Sequence, residues 1–121
     1  MGLIELTQQN YKAEVLDSNL PVVIKFYDQN CDVCKLLAPV LEKVSADYVN
    51  KAKFANCDRL RNSEIARKYG ANYASQIVVA YKDKKLGLFP GALISGTKHL
   101  AAKEDYLRNN INKYLESIVK Q

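Results

Sequence analysis

The chain contains no tryptophan, a single histidine and a single methionine, and only three prolines and five glycines in 121 residues. No proline-, glycine- or serine-rich stretch interrupts it, and no internal repeat or low-complexity segment is present, so residues 1–121 read as one domain. No apolar run approaches the roughly 18 residues that a membrane helix needs. The opening "MGLIELTQQN" has neither a basic start nor an apolar stretch behind it, so no secretory signal is read and the cytoplasm is the default compartment. The net charge is +5, but no run of five lysines or arginines exists and no aromatic residues interleave a basic stripe. Nucleic-acid binding is therefore a weak reading, and the surplus charge marks a solvated surface suited to acidic partners. Three cysteines, an odd and small number, argue against a disulfide scaffold. The lone histidine, His99, lies in "ISGTKHL" with no acid beside it in sequence, and little catalysis is expected of it.

What remains is ordinary globular material: 48% apolar and 26% charged residues, enough to bury a core without staples. The apolar pattern alternates between two periods. Residues 7–18 read as a first helix capped by Thr7. The run "VVIKFY" (22–27) is β-branched and aromatic, like a buried strand. From about Cys34 to Tyr48, Leu37, Val40, Leu41, Val44 and Tyr48 mark one helix face, with Pro39 inside it. "AKFANC" (52–57) is a second core strand, and "NSEIARKYG" (62–70) a helix closed by glycine. "QIVVAYKD" (76–83) and "KLGLFPG" (85–91) form a hairpin, and a last helix spans about 103 to 119. Strand–helix–strand followed by a hairpin predicts an α/β fold, a mixed central sheet of four to five strands with helices on both faces.

The chemistry-bearing feature is Cys31-Asp32-Val33-Cys34, just after the first strong strand and entering a helix. Two cysteines at this spacing can be a redox pair, half of a zinc site, or inert thiols. Zinc asks for four ligands, which Cys31, Cys34, Cys57 and His99 supply only as one pair and two distant singles. A helix N-terminus presents free N–H groups and the positive end of a dipole, both of which favour a thiolate. A thiolate there attacks disulfides, and a cysteine three positions on is within bridging reach. The setting makes redox the leading reading. Cys57 reads as a core thiol.

With these residues in view the chain resembles the thioredoxin family. "FYDQNCDVCKLLAPVLEKVSADY" is similar to that family's strand, redox turn and proline-bearing helix, with Lys35 and Pro39 retained. "NCD" (56–58), "IARKYG" and "PGAL" (90–93) match further family positions, so the likeness runs over about residues 5 to 118. It implies a thioredoxin fold and thiol–disulfide exchange, with Cys31 attacking and Cys34 resolving. It further implies protein disulfides as substrates and a reductase that recharges the pair. A monomer needing no cofactor, and touching neither membrane nor nucleic acid, is the expectation.

The departures lie around the pair. Asp32 and Val33 replace the usual Gly-Pro, and the Asp32 carboxylate opposes a Cys31 thiolate that the helix end favours. Asn30 stands where the family has tryptophan, altering the rim that meets substrate. Tyr27 replaces a second tryptophan and is expected to hydrogen-bond Asp58. The family's buried acid is Lys25 here, and its usual lysine partner is Phe54. A buried lysine loses its proton more easily, so Lys25 could accept a proton from Cys34 or, charged, stabilise its thiolate; otherwise its head snorkels to water. The family's cis-proline is missing: Ser75 or Gln76 takes its place, and a trans peptide is expected. The expected site is thus Cys31, Cys34 and Lys25 for chemistry, with Asn30, Asp32, Val33, Ser75 and Gln76 meeting substrate. Two rival readings keep the same residues: a binding module that has lost turnover, and a metal-bridged dimer drawing four thiolates from two chains.

Overall fold

The computed structural model describes residues 3–91 and 100–119. Five strands form one sheet in the order β1-β3-β2-β4-β5. They are β1 (Ile4–Glu5), β2 (Val22–Tyr27), β3 (Lys53–Asp58), β4 (Gln76–Tyr81) and β5 (Lys84–Pro90). β1 and β2 both run parallel to β3, while β4 is antiparallel to β2 and to β5. Three α-helices accompany them: α1 (Asp32–Ser45), α2 (Ser63–Tyr69) and α3 (Leu100–Val119).

Alternation along the strands divides the core in two. Val23, Phe54, Ile77, Val79 and Phe89 point to one face and meet Leu37, Leu41 and Val44 of α1 and Leu107 and Ile111 of α3. Val22, Ile24, Phe26, Ala55, Cys57 and Val78 point to the other, under Ile65, Ala66 and Tyr69 of α2 and Val15. The helix face read from Leu37, Val40, Leu41 and Val44 is the buried one. Polar ties then register α1 against α3: Glu104, itself buried, pairs with Lys43 at 3.2 Å and with Arg108 at 3.1 Å. Arg108 reaches on to Asp47 at 2.7 Å.

Two expectations need correction. The first helix does not span 7–18; regular structure there is a single π-helical turn, Lys12–Leu16. Thr7 does cap the segment: its N–H donates to Asn10 Oδ1 at 2.7 Å and its Oγ1 accepts the Asn10 N–H at 3.2 Å, the reciprocal pair of a helix start. The Asp17 N–H then bonds Lys12 O at 2.8 Å, five residues back, and the wide turn closes there. The last helix also begins before the expected 103: residues 100–102 already belong to α3. Residues 92–99, with His99 and the end of "PGAL", lie outside the described residues.

Gly87 of β5 lies flat against the Tyr114 ring of α3, and a Cβ there would run into Cδ1, Cε1 and Cζ. That ring stacks on Phe89, with centroids 6.3 Å apart. Gly87→Ala is expected to lower stability by about 1–2 kcal/mol in urea unfolding, by prising α3 from the sheet. An unchanged midpoint would mean that the ring slips aside at no cost.

Candidate functional site

The central strand delivers the cysteines. β2 is hydrogen-bonded on both edges and ends at Tyr27, and the chain then turns into α1. Asp28 Oδ1 accepts the Asn30 N–H at 3.1 Å, and Asp28 O accepts the Cys31 N–H at 3.3 Å, so residues 28–31 form a tight corner. Arg59, arriving from β3, holds Asp28 from outside at 3.6 Å. Cys31 is the N-cap of α1 in extended backbone (φ −94°, ψ 103°), and its Sγ accepts the Cys34 N–H at 3.1 Å. Cys31 and Cys34 are joined as a disulfide with Cα atoms 5.2 Å apart. Their exposure is unequal: Cys31 is half-buried, whereas Cys34 is only 4% exposed.

Below the disulfide lies a cavity of about 290 Å³, lined among others by Lys25, Tyr27, Cys31, Cys34, Glu5 and Asn56. Lys25 is 4% exposed, so its head does not snorkel freely to water. No ion pair engages it among the described residues. Burial pulls its pKa down from the ordinary 10.5, and the charge of Glu5 opposes that shift. Its Nζ lies 5.8 Å from the centre of the Tyr27 ring.

Two neighbours of Lys25 differ from expectation. Tyr27 Oη does not bond Asp58; it donates to Glu5 Oε2 at 2.8 Å. Asp58 Oδ1 is instead occupied by the N–H groups of Leu60 and Arg61, at 3.0 and 3.2 Å. The residue beside Lys25 on β3 is Asn56, whereas Phe54 pairs with Val23 and packs on Tyr48. Glu5 escaped the reading because β1 is two residues long. The only trace of it is the short apolar–acid–apolar run Ile4-Glu5-Leu6, too brief to separate from a loop.

The remaining predicted residues gather elsewhere. Asn30 and Asp32 are exposed beside the pair, and Asp32 occupies the first turn of α1. The side chain of Val33 lies outside the described set. Ser75 and Gln76 sit at the far edge of β2. Gln76 opens β4 opposite Phe26, and its Oε1 accepts the Tyr73 N–H at 3.1 Å. Ser75 precedes it, buried, with a left-handed φ of 65°, which costs a non-glycine residue energy. Both of its backbone groups are engaged: its N–H donates to Phe26 O at 2.6 Å and its carbonyl accepts from Gly91 N–H at 2.6 Å. A Cβ on Gly91 would collide with that carbonyl and with Leu37, so the close approach requires glycine. No cis peptide occurs among the described residues.

Cys57 stands apart. Fully buried on the opposite face of the sheet with Phe26 and Ala55, it has its thiol pushed up to about 12, mostly by burial and further by Glu5 and Asp58. It cannot join Cys31 and Cys34 in one ligand set, and among the described residues no cluster of three or more His, Cys, Asp or Glu could hold a metal.

Comparison with known proteins adds the following. The family model described as Thioredoxin matches residues 2–105. A thioredoxin of Rickettsia bellii is 33% identical over 87 residues, covering 69% of this chain and 83% of the relative. A thioredoxin of Buchnera aphidicola subsp. Acyrthosiphon pisum is 33% identical over 110 residues, covering 91% and 97%. Thioredoxin 1 of Nostoc sp. is 28% identical over 89 residues, covering 74% and 83%.

Two outcomes follow from the geometry. Ser75→Pro should destabilise the fold by about 2–3 kcal/mol, because proline holds φ near −65° and would remove the N–H that Phe26 accepts. Retention of the wild-type melting temperature would show that the loop re-forms. Lys25→Met should stabilise the protein at pH 7 by on the order of 1 kcal/mol, since a buried unpaired ammonium is costly. With a depressed folded-state pKa, that cost is present at low and neutral pH. It fades as pH climbs toward the ordinary 10.5 of the unfolded chain. Urea titrations at neutral and alkaline pH test the sign; a gain that grew with pH would contradict it.

Proposed function

The chain belongs to the thioredoxin family and is a thiol–disulfide oxidoreductase; from that premise we propose that it exchanges electrons with protein disulfides, Cys31 attacking and Cys34 resolving. The observation that carries the assignment is the unequal exposure of the two sulfurs: Cys31 half-open at the cap of α1, Cys34 4% exposed beneath it. A partner disulfide can reach only the first.

In the reduced protein, the Cys31 thiolate attacks one sulfur of the substrate disulfide. The substrate S–S bond breaks, its far sulfur leaves as a thiolate and takes a proton, and Cys31 is held in a mixed disulfide. Cys34, once deprotonated, attacks Cys31 Sγ. The mixed disulfide breaks and the second substrate sulfur departs with a proton. Two electrons have passed to the substrate, and the chain is left in the Cys31–Cys34 state described above. A reductase returning two electrons and two protons completes the cycle, which suits a reducing compartment such as the cytoplasm.

The N–H groups of α1 and its dipole favour the Cys31 thiolate, while Asp32 in the first turn counters them. Lys25 supplies the matching charge for Cys34 from below: as an ammonium it stabilises the Cys34 thiolate, and as a neutral amine it takes up the Cys34 proton. Asn30 and Asp32, exposed beside the pair, offer the rim that meets substrate, Val33 being the next residue in sequence, and the Ser75–Gln76 turn its far wall.

A second reading, a binding module without turnover, draws support from Ser75, whose backbone N–H and C=O are both spent inside the fold. Insulin reduction driven by dithiothreitol separates the two. Cys31→Ser should fall to the rate of dithiothreitol alone, and Cys34→Ser should accumulate a mixed disulfide with the substrate. Equal rates for wild type and Cys31→Ser would sink the enzymatic reading.

A further inference from the structure

An acid, an amide and a base form a row across three strands beneath the cysteine pair. Glu5 of β1 pairs with Asn56 of β3, and Asn56 pairs with Lys25 of β2. Register partners on parallel neighbours place their side chains on one face of the sheet. Beyond Lys25 the row ends in apolar Ile77 of β4. Glu5, Asn56 and Lys25 all line the cavity that holds Cys31 and Cys34. Within it Asn56 Oδ1 is buried without a hydrogen-bond partner, a free acceptor between the acid and the base.

Tyr27 couples the row at its open end. Its hydroxyl is given to Glu5 Oε2 at 2.8 Å while its ring lies 5.8 Å from Lys25 Nζ. Glu5 and Tyr27 also line a second cavity of about 350 Å³, together with Asp58 and Arg61. Glu5 and Tyr27, with Gln29, thus line both cavities.

We propose that Glu5 is a positioning residue for disulfide exchange, held on the edge strand by its bond to Tyr27 so that its charge keeps Lys25 charged in the cavity it shares with Cys34. This rests on the role given to Lys25 above. Lys25 shares the cavity with Glu5 from β1, Tyr27 and Asp28 from β2 and its following corner, and Cys34 and Lys35 from α1. Among the described residues β3 sets Asn56 beside Lys25 and Asp58 beside Tyr27, with Asp58 Oδ1 taken by the N–H groups of Leu60 and Arg61, and β4 sets Ile77 opposite Lys25. Asp28 is engaged by Arg59, and Lys35 is exposed and of like charge. Glu5 is left as the carboxylate that opposes the burial of Lys25. Its location on a short outer strand means that the charge state of Lys25 answers to a residue reachable from the surface.

The test is the pH dependence of the Cys31–Cys34 equilibrium with glutathione, from about pH 6 to about pH 10, in the full chain. Beyond the inflections set by the cysteine thiols and by glutathione itself, wild type should show one that Lys25→Met abolishes. In Glu5→Gln that inflection should move to lower pH by about one unit, the loss of one opposing charge being a tenfold effect on proton affinity. Glu5→Asp should restore part of it. Glu5→Gln added to Lys25→Met should bring no further inflection. Tyr27→Phe, which frees the carboxylate but keeps its charge, should move the inflection the same way by less. An inflection present in wild type but unmoved by Glu5→Gln overturns the role of Glu5 alone. A wild-type profile that coincides with that of Lys25→Met overturns the Lys25 reading and this proposal with it.

Discussion

The site depends on β2 being paired along both edges. Its six residues hydrogen-bond β3 on one side and β4 on the other, and Val22, Val23, Ile24 and Phe26 are buried to 1% exposure or less. A strand held in this way has no freedom to shift register, because one step would exchange its two apolar faces. That rigidity passes directly into the corner at residues 28–31 and thence to the cap of α1. The loop at Ser75 and Arg59, the residue that follows β3, are tied to the same strand end, through Phe26 O and Tyr27 O respectively. The cysteine pair is thus placed by the sheet, and the helix supplies only its N-terminal field.

The same burial makes Lys25 an anomaly with a consequence. Every other residue of β2 that is closed off from water is apolar, and the sheet position of Lys25 offers no carboxylate within ion-pair distance. A fold under selection for stability alone would place an aliphatic residue there. The lysine is held by a π-face and by a more distant acid, interactions that restrain an ammonium without neutralising it. A charge kept poised in this way can respond to a thiolate appearing and disappearing above it, which a firmly paired lysine could not do.

How much could be read in advance follows from where periodicity is strong. The strand 22–27 and the helix face of Leu37, Val40, Leu41 and Val44 were legible to the residue, because long apolar patterns leave few alternatives. Cys31 and Cys34 were legible because spacing and setting agreed. Hidden were features governed by tertiary partners or by very short segments. Thr7 was read as a cap and is one, but nothing in the sequence shows that the turn behind it closes at Leu16. Tyr27 was matched to Asp58, but a two-residue strand brought Glu5 to its hydroxyl first. The left-handed Ser75 has no signature either, since serine rarely adopts that backbone and only contact with Phe26 and Gly91 imposes it.

Ser75 also bears on how partners are recognised. With a proline in the corresponding turn, the backbone N–H would be absent and nothing would tie the loop to the end of β2 through that atom. Here the N–H is present and bonded to Phe26, and the carbonyl is closed by Gly91, so the loop is pinned at both groups. Pinning removes those two groups from any incoming peptide. Recognition must then shift toward side chains on the rim. Next to the pair in the chain, Asn30, Asp32 and Leu36 are exposed. Under the proposed function, such a surface would select partners by side-chain contact and charge more than by backbone pairing.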